Sequence, residues 1–169
     1  TRVLVRARSL GYRTVSVSLQ LADAEILQNL ERFLKWLCAR VSKQLGFSNA
    51  ISESALPEIV NFWDNSLGSK ANATNYFEDV FLANCDLAAS PRENHALVIA
   101  IDELNQLFVY PDIAREFLLL LRTWSEQAKA GIADSNIWHK LRLVTAHSTE
   151  ILMPSAIDPS LLNTGLAIE

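Results

Sequence analysis

Two adjacent acidic residues, Asp102 and Glu103, directly follow a run of apolar residues. The run, Ala96 to Ile101, has no polar alternation, which predicts a strand buried on both faces of a parallel sheet. Ligands of such sheets bind beyond the carboxyl ends of the strands, so both carboxylates are expected at a ligand-binding edge. There the first acid can orient Mg²⁺, and the second can polarise a water molecule that attacks a phosphate.

The acid pair also has a plain structural interpretation. Carboxylates are common where a helix begins, because they complement the positive end of the helix dipole. The pattern of Asp102 and Glu103 alone does not decide between the two interpretations.

A second polar segment is predicted at the same edge of the sheet. The strand predicted from Leu141 to Ala146 is followed by His147, Ser148 and Thr149. A small polar group at this position can sense the terminal phosphate of a bound nucleotide. The alternative is that Ser148 and Thr149 cap a turn and that His147 is a solvated or core histidine.

The elements that hold these residues follow from hydrophobic periodicity. The first ten residues have the pattern of a helix that Gly11 closes. Residues 14–20 alternate strictly, with Val15, Val17 and Leu19 facing one way, which predicts a strand. Apolar residues at spacings of three and four predict one helix from Ala24 to about Leu45, capped by Asp23 and ended by Gly46.

The second half of the chain continues the alternation of helices and strands. We expect a short helix within residues 47–71, and a helix over Asn75 to about Cys85 that Asn72 or Thr74 caps. A further helix is expected from Pro111 to about Lys129, followed by one helical turn at residues 137–138. With the strands, this gives the order β-α-α-β-α-β, which predicts a layered α/β fold.

Composition limits the possible classes of protein. The chain has 169 residues, a formal net charge of −4, 50% hydrophobic and 20% charged residues, which is typical of one soluble globular domain. The acidic balance argues against nucleic acid as a partner, and the basic residues Arg2, Arg6, Arg8 and Arg13 are interpreted as a solvated helix face. No apolar run is long enough to cross a membrane.

Other chemistries have little support in the sequence. Cys38 and Cys85 form no C-x-x-C pair, which favours a reducing compartment and predicts a cytoplasmic protein. The three histidines lack the spacing of zinc ligands. No serine lies in a G-x-S-x-G motif, so a hydrolase that uses Ser148 and His147 is a third and weaker hypothesis. The four tryptophans are predicted to lie in the core.

Several segments together resemble the AAA-like ATPase domain of large bacterial multidomain proteins. The resemblance extends over nearly the whole chain, and the segments that carry it follow in order: Gly11 to Asp23, Phe33 to Cys38, Leu97 to Leu104 (L-V-I-A-I-D-E-L), Phe108 to Ala114, Leu120 to Trp124, and Trp138 to Glu150 (W-H-K-L-R-L-V-T-A-H-S-T-E). That domain is a P-loop NTPase related to signalling ATPases.

The resemblance implies a three-layer α-β-α core with a mainly parallel sheet over residues 1–169, in which residues 47–95 form a helical excursion between strands. It implies that Asp102 and Glu103 are the Walker B acids, with Asp102 toward Mg²⁺ and Glu103 as the catalytic group. Ser148, together with His147, would occupy the sensor position toward ATP.

The sequence departs from the family pattern at one essential motif. It contains no G-x-x-x-x-G-K followed by Ser or Thr, the Walker A loop whose amides and lysine hold phosphates. The helical lid expected after the sensor strand is also missing. We therefore expect a domain truncated at both ends, which alone neither binds ATP tightly nor hydrolyses it.

Two functions remain to be compared. In the first, the chain is the central part of an ATP-dependent regulatory or signalling switch, with ATP and attached effector or sensor domains as partners and a homo-oligomer left open. In the second, it is a non-catalytic module that uses the same fold only for protein contacts.

Overall fold

The computed structural model describes residues 2–46, 59–85, 94–134 and 136–146, together with Ser160. Three parallel strands form one sheet in the order β1-β2-β3. They are β1 (Tyr12–Ser18), β2 (Asn94–Asp102) and β3 (Leu141–Thr145). The predicted α/β class with a parallel sheet is therefore confirmed.

Helices precede the sheet and connect its strands. The α-helices are α1 (Arg2–Ser9), α2 (Ala24–Leu27), α3 (Leu30–Leu45), α4 (Ile59–Phe62), α5 (Ser69–Tyr76) and α6 (Pro111–Asp134). A π-helix, Phe77–Leu82, continues α5, and short 3₁₀ helices cover Leu19–Leu21, Leu104–Val109 and Ile137–Lys140. Among the helices described, none has both the length and the apolar character needed to span a membrane.

Helix α1 packs on one face of the sheet. Leu4 and Ala7 of the helix are buried together with Val98 and Ala100 of β2. Gly11 follows with a φ of 82°, a backbone conformation that glycine adopts without steric cost. The predicted helix end at Gly11 is confirmed.

The main core lies on the opposite face of the sheet. Leu97, Ile99 and Ile101 of β2 are buried there with apolar side chains from α3 and α6. Both sets of side chains along β2 are therefore covered, as the uninterrupted apolar run predicts for a strand inside a parallel sheet.

The prediction of a single helix over residues 24–45 is wrong, because the chain forms two helices there. Asn29 has an extended backbone with a φ of −132°, and its side chain accepts a hydrogen bond from the amide of Arg32, 3.0 Å away. An asparagine in this position caps a new helix instead of continuing the old one. The predicted end of the helix at Gly46 is confirmed by its φ of 71°.

The predicted cap at Asn72 or Thr74 is also wrong, because α5 begins at Ser69. Both residues lie inside the helix. The Thr74 hydroxyl donates to the carbonyl of Lys70, one helical turn earlier, at 2.8 Å. The Asn72 side chain faces back toward the turn that precedes the helix.

Asn72 is the centre of a buried polar network, with only 1% of its surface exposed. Its Oδ1 accepts from the amide of Asp64 at 2.9 Å. Its Nδ2 lies 2.9, 3.2 and 3.3 Å from the carbonyl oxygens of Asp64, Leu67 and Gly68. One side chain therefore contacts four backbone groups of the turn between Trp63 and α5.

Two tryptophans join the α5 segment, which comprises α5 and the π-helix after it (residues 69–82), to the second half of the chain. The indole nitrogen of Trp124 donates to Thr74 at 2.9 Å, and that of Trp138 donates to Glu78 at 3.1 Å. Phe77 packs on Trp124 with ring centroids 4.1 Å apart. Trp63, Trp124 and Trp138 are buried, and Trp36 is partly buried and packs against the main core, so the predicted core position of the tryptophans is confirmed.

Asn72→Ala should lower the free energy of unfolding by about 2 to 3 kcal/mol, because buried backbone groups of the turn lose their partner. Asn75→Ala is the matched control on the same helix, since Asn75 is exposed, and should change stability by less than about 0.5 kcal/mol. Urea unfolding of both variants measures the difference. Equal effects of the two substitutions would contradict the role assigned to Asn72.

Burial should also make Cys38 unreactive. Both cysteines are buried and form no disulfide, and desolvation raises the pKa of the Cys38 thiol far above its ordinary value. The thiol therefore stays protonated, and the thiolate that reacts with alkylating agents is not formed. Iodoacetamide should leave Cys38 unmodified in the folded protein and label it in urea, as read by peptide mass; rapid labelling of the folded protein would contradict this.

Candidate functional site

The carboxyl ends of the three strands meet at one edge of the sheet. In the register of the strands, Ser18 of β1 lies opposite Asp102 of β2, and Ile101 of β2 lies opposite Thr145 of β3. Asp102 is the last residue of the middle strand, with a neighbouring strand on each side. This is the edge at which open α/β sheets bind their ligands.

The backbone turns sharply between the two acidic residues. Glu103 has a φ of 58° and a ψ of 42°, and no other non-glycine residue in the described part of the chain has a positive φ. The Asp102 carboxylate accepts a hydrogen bond from the Glu103 amide at 3.0 Å. Such left-handed residues cost energy and occur often at functional sites.

Two backbone hydrogen bonds hold this turn against the end of β3. The amide of Ala146 donates to the carbonyl of Ile101 at 2.8 Å, and the amide of Leu104 donates to the carbonyl of Ala146 at 3.0 Å. In a regular parallel ladder the amide of Glu103 would donate to Ala146, so the bond from Leu104 shows that one extra residue is accommodated here. The left-handed conformation is therefore fixed by contacts from a strand that is distant in sequence.

Asp102 and Glu103 thus lie at the sheet edge where the sequence predicts them, and both are half-buried. His147, Ser148 and Thr149 fall outside the described residues, so their position relative to the acid pair stays a prediction. The last described residue before them, Ala146, contacts Leu104 directly.

Sequence reasoning missed Ser18, which the register places beside Asp102. The available signal is modest: Ser18 is the last hydroxyl residue of the alternating segment T-V-S-V-S before the apolar Leu19. The sequence predicts that a strand ends in this segment. It does not predict that this end lies beside Asp102, because that depends on the order of the strands in the sheet.

The described residues contain no group of three or more His, Cys, Asp or Glu side chains that could hold a metal. A magnesium site does not require one, because Mg²⁺ commonly binds one or two carboxylates and takes its other ligands from phosphates and water.

A shallow cavity of about 310 Å³ does not include the acid pair. It is lined by Gln28, Val109, Tyr110, Pro111, Asp112 and Ile113. The Gln28 amide lies 3.4 Å from the Tyr110 hydroxyl, a long contact that closes one side. The cavity and the acid pair are thus separate features.

A parallel α/β sheet with an acid pair at the carboxyl end of its middle strand is an arrangement found among nucleotide-binding proteins. A family model described as AAA-like domain matches residues 1–169, and the chain belongs to this family. Membership indicates a nucleotide-binding module. No curated protein and no solved structure gives a significant match to the chain.

The backbone at Glu103 gives a direct test of the turn. Glu103→Gly should leave the free energy of unfolding unchanged or raise it by up to about 1 kcal/mol, because glycine adopts a positive φ without steric cost. Glu103→Val should lower it by about 1 to 2 kcal/mol, because a β-branched residue is strained there.

Gln106→Gly is the matched control for this test in the 3₁₀ helix that follows. Gln106 has no positive φ, so glycine should lower stability there by about 0.5 to 1 kcal/mol. Urea unfolding of the three variants measures these effects. A loss of stability in Glu103→Gly equal to that in Glu103→Val would show that Glu103 does not occupy a left-handed conformation.

Proposed function

We propose that this chain is the central part of an ATP-binding and hydrolysing switch module, with Asp102 and Glu103 as its Walker B acids. The observation that carries the proposal is the position of this pair, at the carboxyl end of the middle strand of a parallel sheet in an AAA-like chain. The family alone indicates nucleotide binding. The acid pair adds a candidate for hydrolysis.

The geometry of the pair suits two different roles. In an extended strand, consecutive side chains point to opposite faces of the sheet. The left-handed residue Glu103 ends that alternation directly after Asp102, so the two carboxylates belong to differently oriented parts of the backbone. In the proposed mechanism, Asp102 orients the metal, and Glu103 polarises the attacking water and takes up its proton. Bound Mg²⁺ would supply positive charge to the phosphate oxygens.

The helices on the two faces of the sheet support the finer fold assignment. Helix α1 covers one face of β2, and helices α3 and α6 cover the other. This is compatible with a three-layer P-loop core. Phosphate binding in such a core also needs a Walker A loop, which the proposal assigns to residues outside 1–169 because the sequence lacks the motif.

The residues that follow β3 supply the last part of the proposed site. Ala146 contacts Leu104, so β3 ends beside the acid pair. We assign Ser148, with His147, to the sensor position toward the terminal phosphate. A regulatory role in the cytoplasm, attached effector or sensor domains and self-association belong to the same proposal, and the buried cysteines, which form no disulfide, are in keeping with a reducing compartment.

The test uses the full-length gene product that carries this chain. Glu103→Gln should retain ATP binding and lower the hydrolysis rate by about 10² to 10⁴-fold, because a general base is lost. Asp102→Ala should lose Mg²⁺-dependent ATP binding, as measured by calorimetry with and without Mg²⁺. Glu126→Gln is the control, since Glu126 is exposed and forms only a surface ion pair with Arg122.

Unchanged hydrolysis in both Glu103→Gln and Asp102→Ala would contradict the assignment of the acid pair. The competing function is a module for protein contacts without catalysis. It predicts that the full-length gene product binds no ATP in calorimetry. Labelling of Ser148 by a serine-reactive probe would instead favour the hydrolase hypothesis.

A further inference from the structure

Strand β1 lies at one edge of the described sheet, because it pairs with β2 on only one side. The backbone groups on its other side have no neighbouring strand among the described residues. An open edge of this kind is a template on which another chain can add a strand.

The sequence of β1 makes its open edge prone to pair with a strand of another chain. After Arg13 near its start, β1 has no charged residue, and neither a charge nor a proline occurs from Thr14 to Ala22, the segment T-V-S-V-S-L-Q-L-A. Short uncharged segments with strong β propensity and no proline are those that stack into intermolecular sheets. A second copy of the same strand is the partner that such an edge fits best.

A side chain occupies the middle of this edge. The Gln44 Oε1 accepts from the amide of Ser16 at 2.9 Å, and the Gln44 Nε2 donates to the carbonyl of Ser16 at 2.5 Å. These are the same two bonds that a residue of an antiparallel partner strand exchanges with the residue opposite it. Gln44 therefore uses the groups that an added strand would need.

The end of helix α3 is held in position for this contact. The Arg13 guanidinium donates to the carbonyl of Leu45 at 2.9 Å, so it is not the fully solvated side chain that the sequence suggests. Leu45 is itself buried in the main core. Contacts on both sides of the glutamine thus fix the last turn of α3 against the strand.

We propose that Gln44 is an edge guard, a side chain that prevents β1 from pairing with β1 of a second copy of the protein. The proposal is independent of nucleotide binding. Gln44 is exposed and has no role in the core or at the acid pair. Its proposed role is to occupy backbone groups at the open edge of the sheet.

The test compares Gln44→Ala with Gln20→Ala, a control at an exposed glutamine in the 3₁₀ helix that follows the strand. In Gln44→Ala, hydrogen exchange at the Ser16 amide should become about fivefold faster or more at low protein concentration, since the hydrogen bond is lost. At high concentration the same variant should form dimers or larger species in sedimentation, and Gln20→Ala should behave like the wild type.

A second variant separates edge pairing from a general loss of stability. Ser16 is exposed, so Gln44→Ala combined with Ser16→Lys places a charge on the open edge without disturbing the core, and it should restore the wild-type sedimentation. The proposal is overturned if Gln44→Ala does not associate more than the wild type. It is also overturned if association persists with the lysine, or if exchange at Ser16 is unchanged.

Discussion

Burial of β2 on both of its faces is the constraint on which the rest of the structure depends. The apolar run from Ala96 to Ile101 satisfies its backbone through β1 and β3 and its side chains through helices on each side. Such a strand has no solvent-facing position at which a polar residue is tolerated. Polar side chains are therefore confined to the two ends of this run, and Asp102 is the first polar residue after it.

Specific contacts also fix the backbone at the end of β2. The left-handed backbone at Glu103 stores strain of about 1 kcal/mol, and the bonds that link Ile101 and Leu104 to Ala146 offset it. The position of the acid pair is thus a property of two strands and not of one loop. A substitution near Ala146 can change the geometry of Glu103 without touching either carboxylate.

The features that could be predicted from the sequence are those with a local physical cause. An unbroken apolar run specifies a doubly buried strand, and Gly11 and Gly46 end helices because they tolerate a positive φ. Asn29 is different, because an asparagine can either remain in a helix or cap a new one, and its neighbours in sequence do not decide which.

Some features of the candidate site could likewise be predicted from the sequence, and others depend on the fold. That the acid pair follows a buried strand is visible in the sequence. The left-handed conformation of Glu103 depends on bonds to a residue more than forty positions away, and the closeness of Ser18 to Asp102 depends on strand order. Neither property leaves a pattern in the residues around it.

The paired tryptophans give the molecule a built-in optical reporter. Trp124 and Trp138 lie with ring centroids 6.2 Å apart, and their indole N–H groups end on Thr74 and Glu78, in a segment that is distant in sequence. Indole emission responds to the polarity around the ring. The emission of Trp124 and Trp138, two of the four tryptophans in the chain, therefore responds to contact between the α5 segment and this pair.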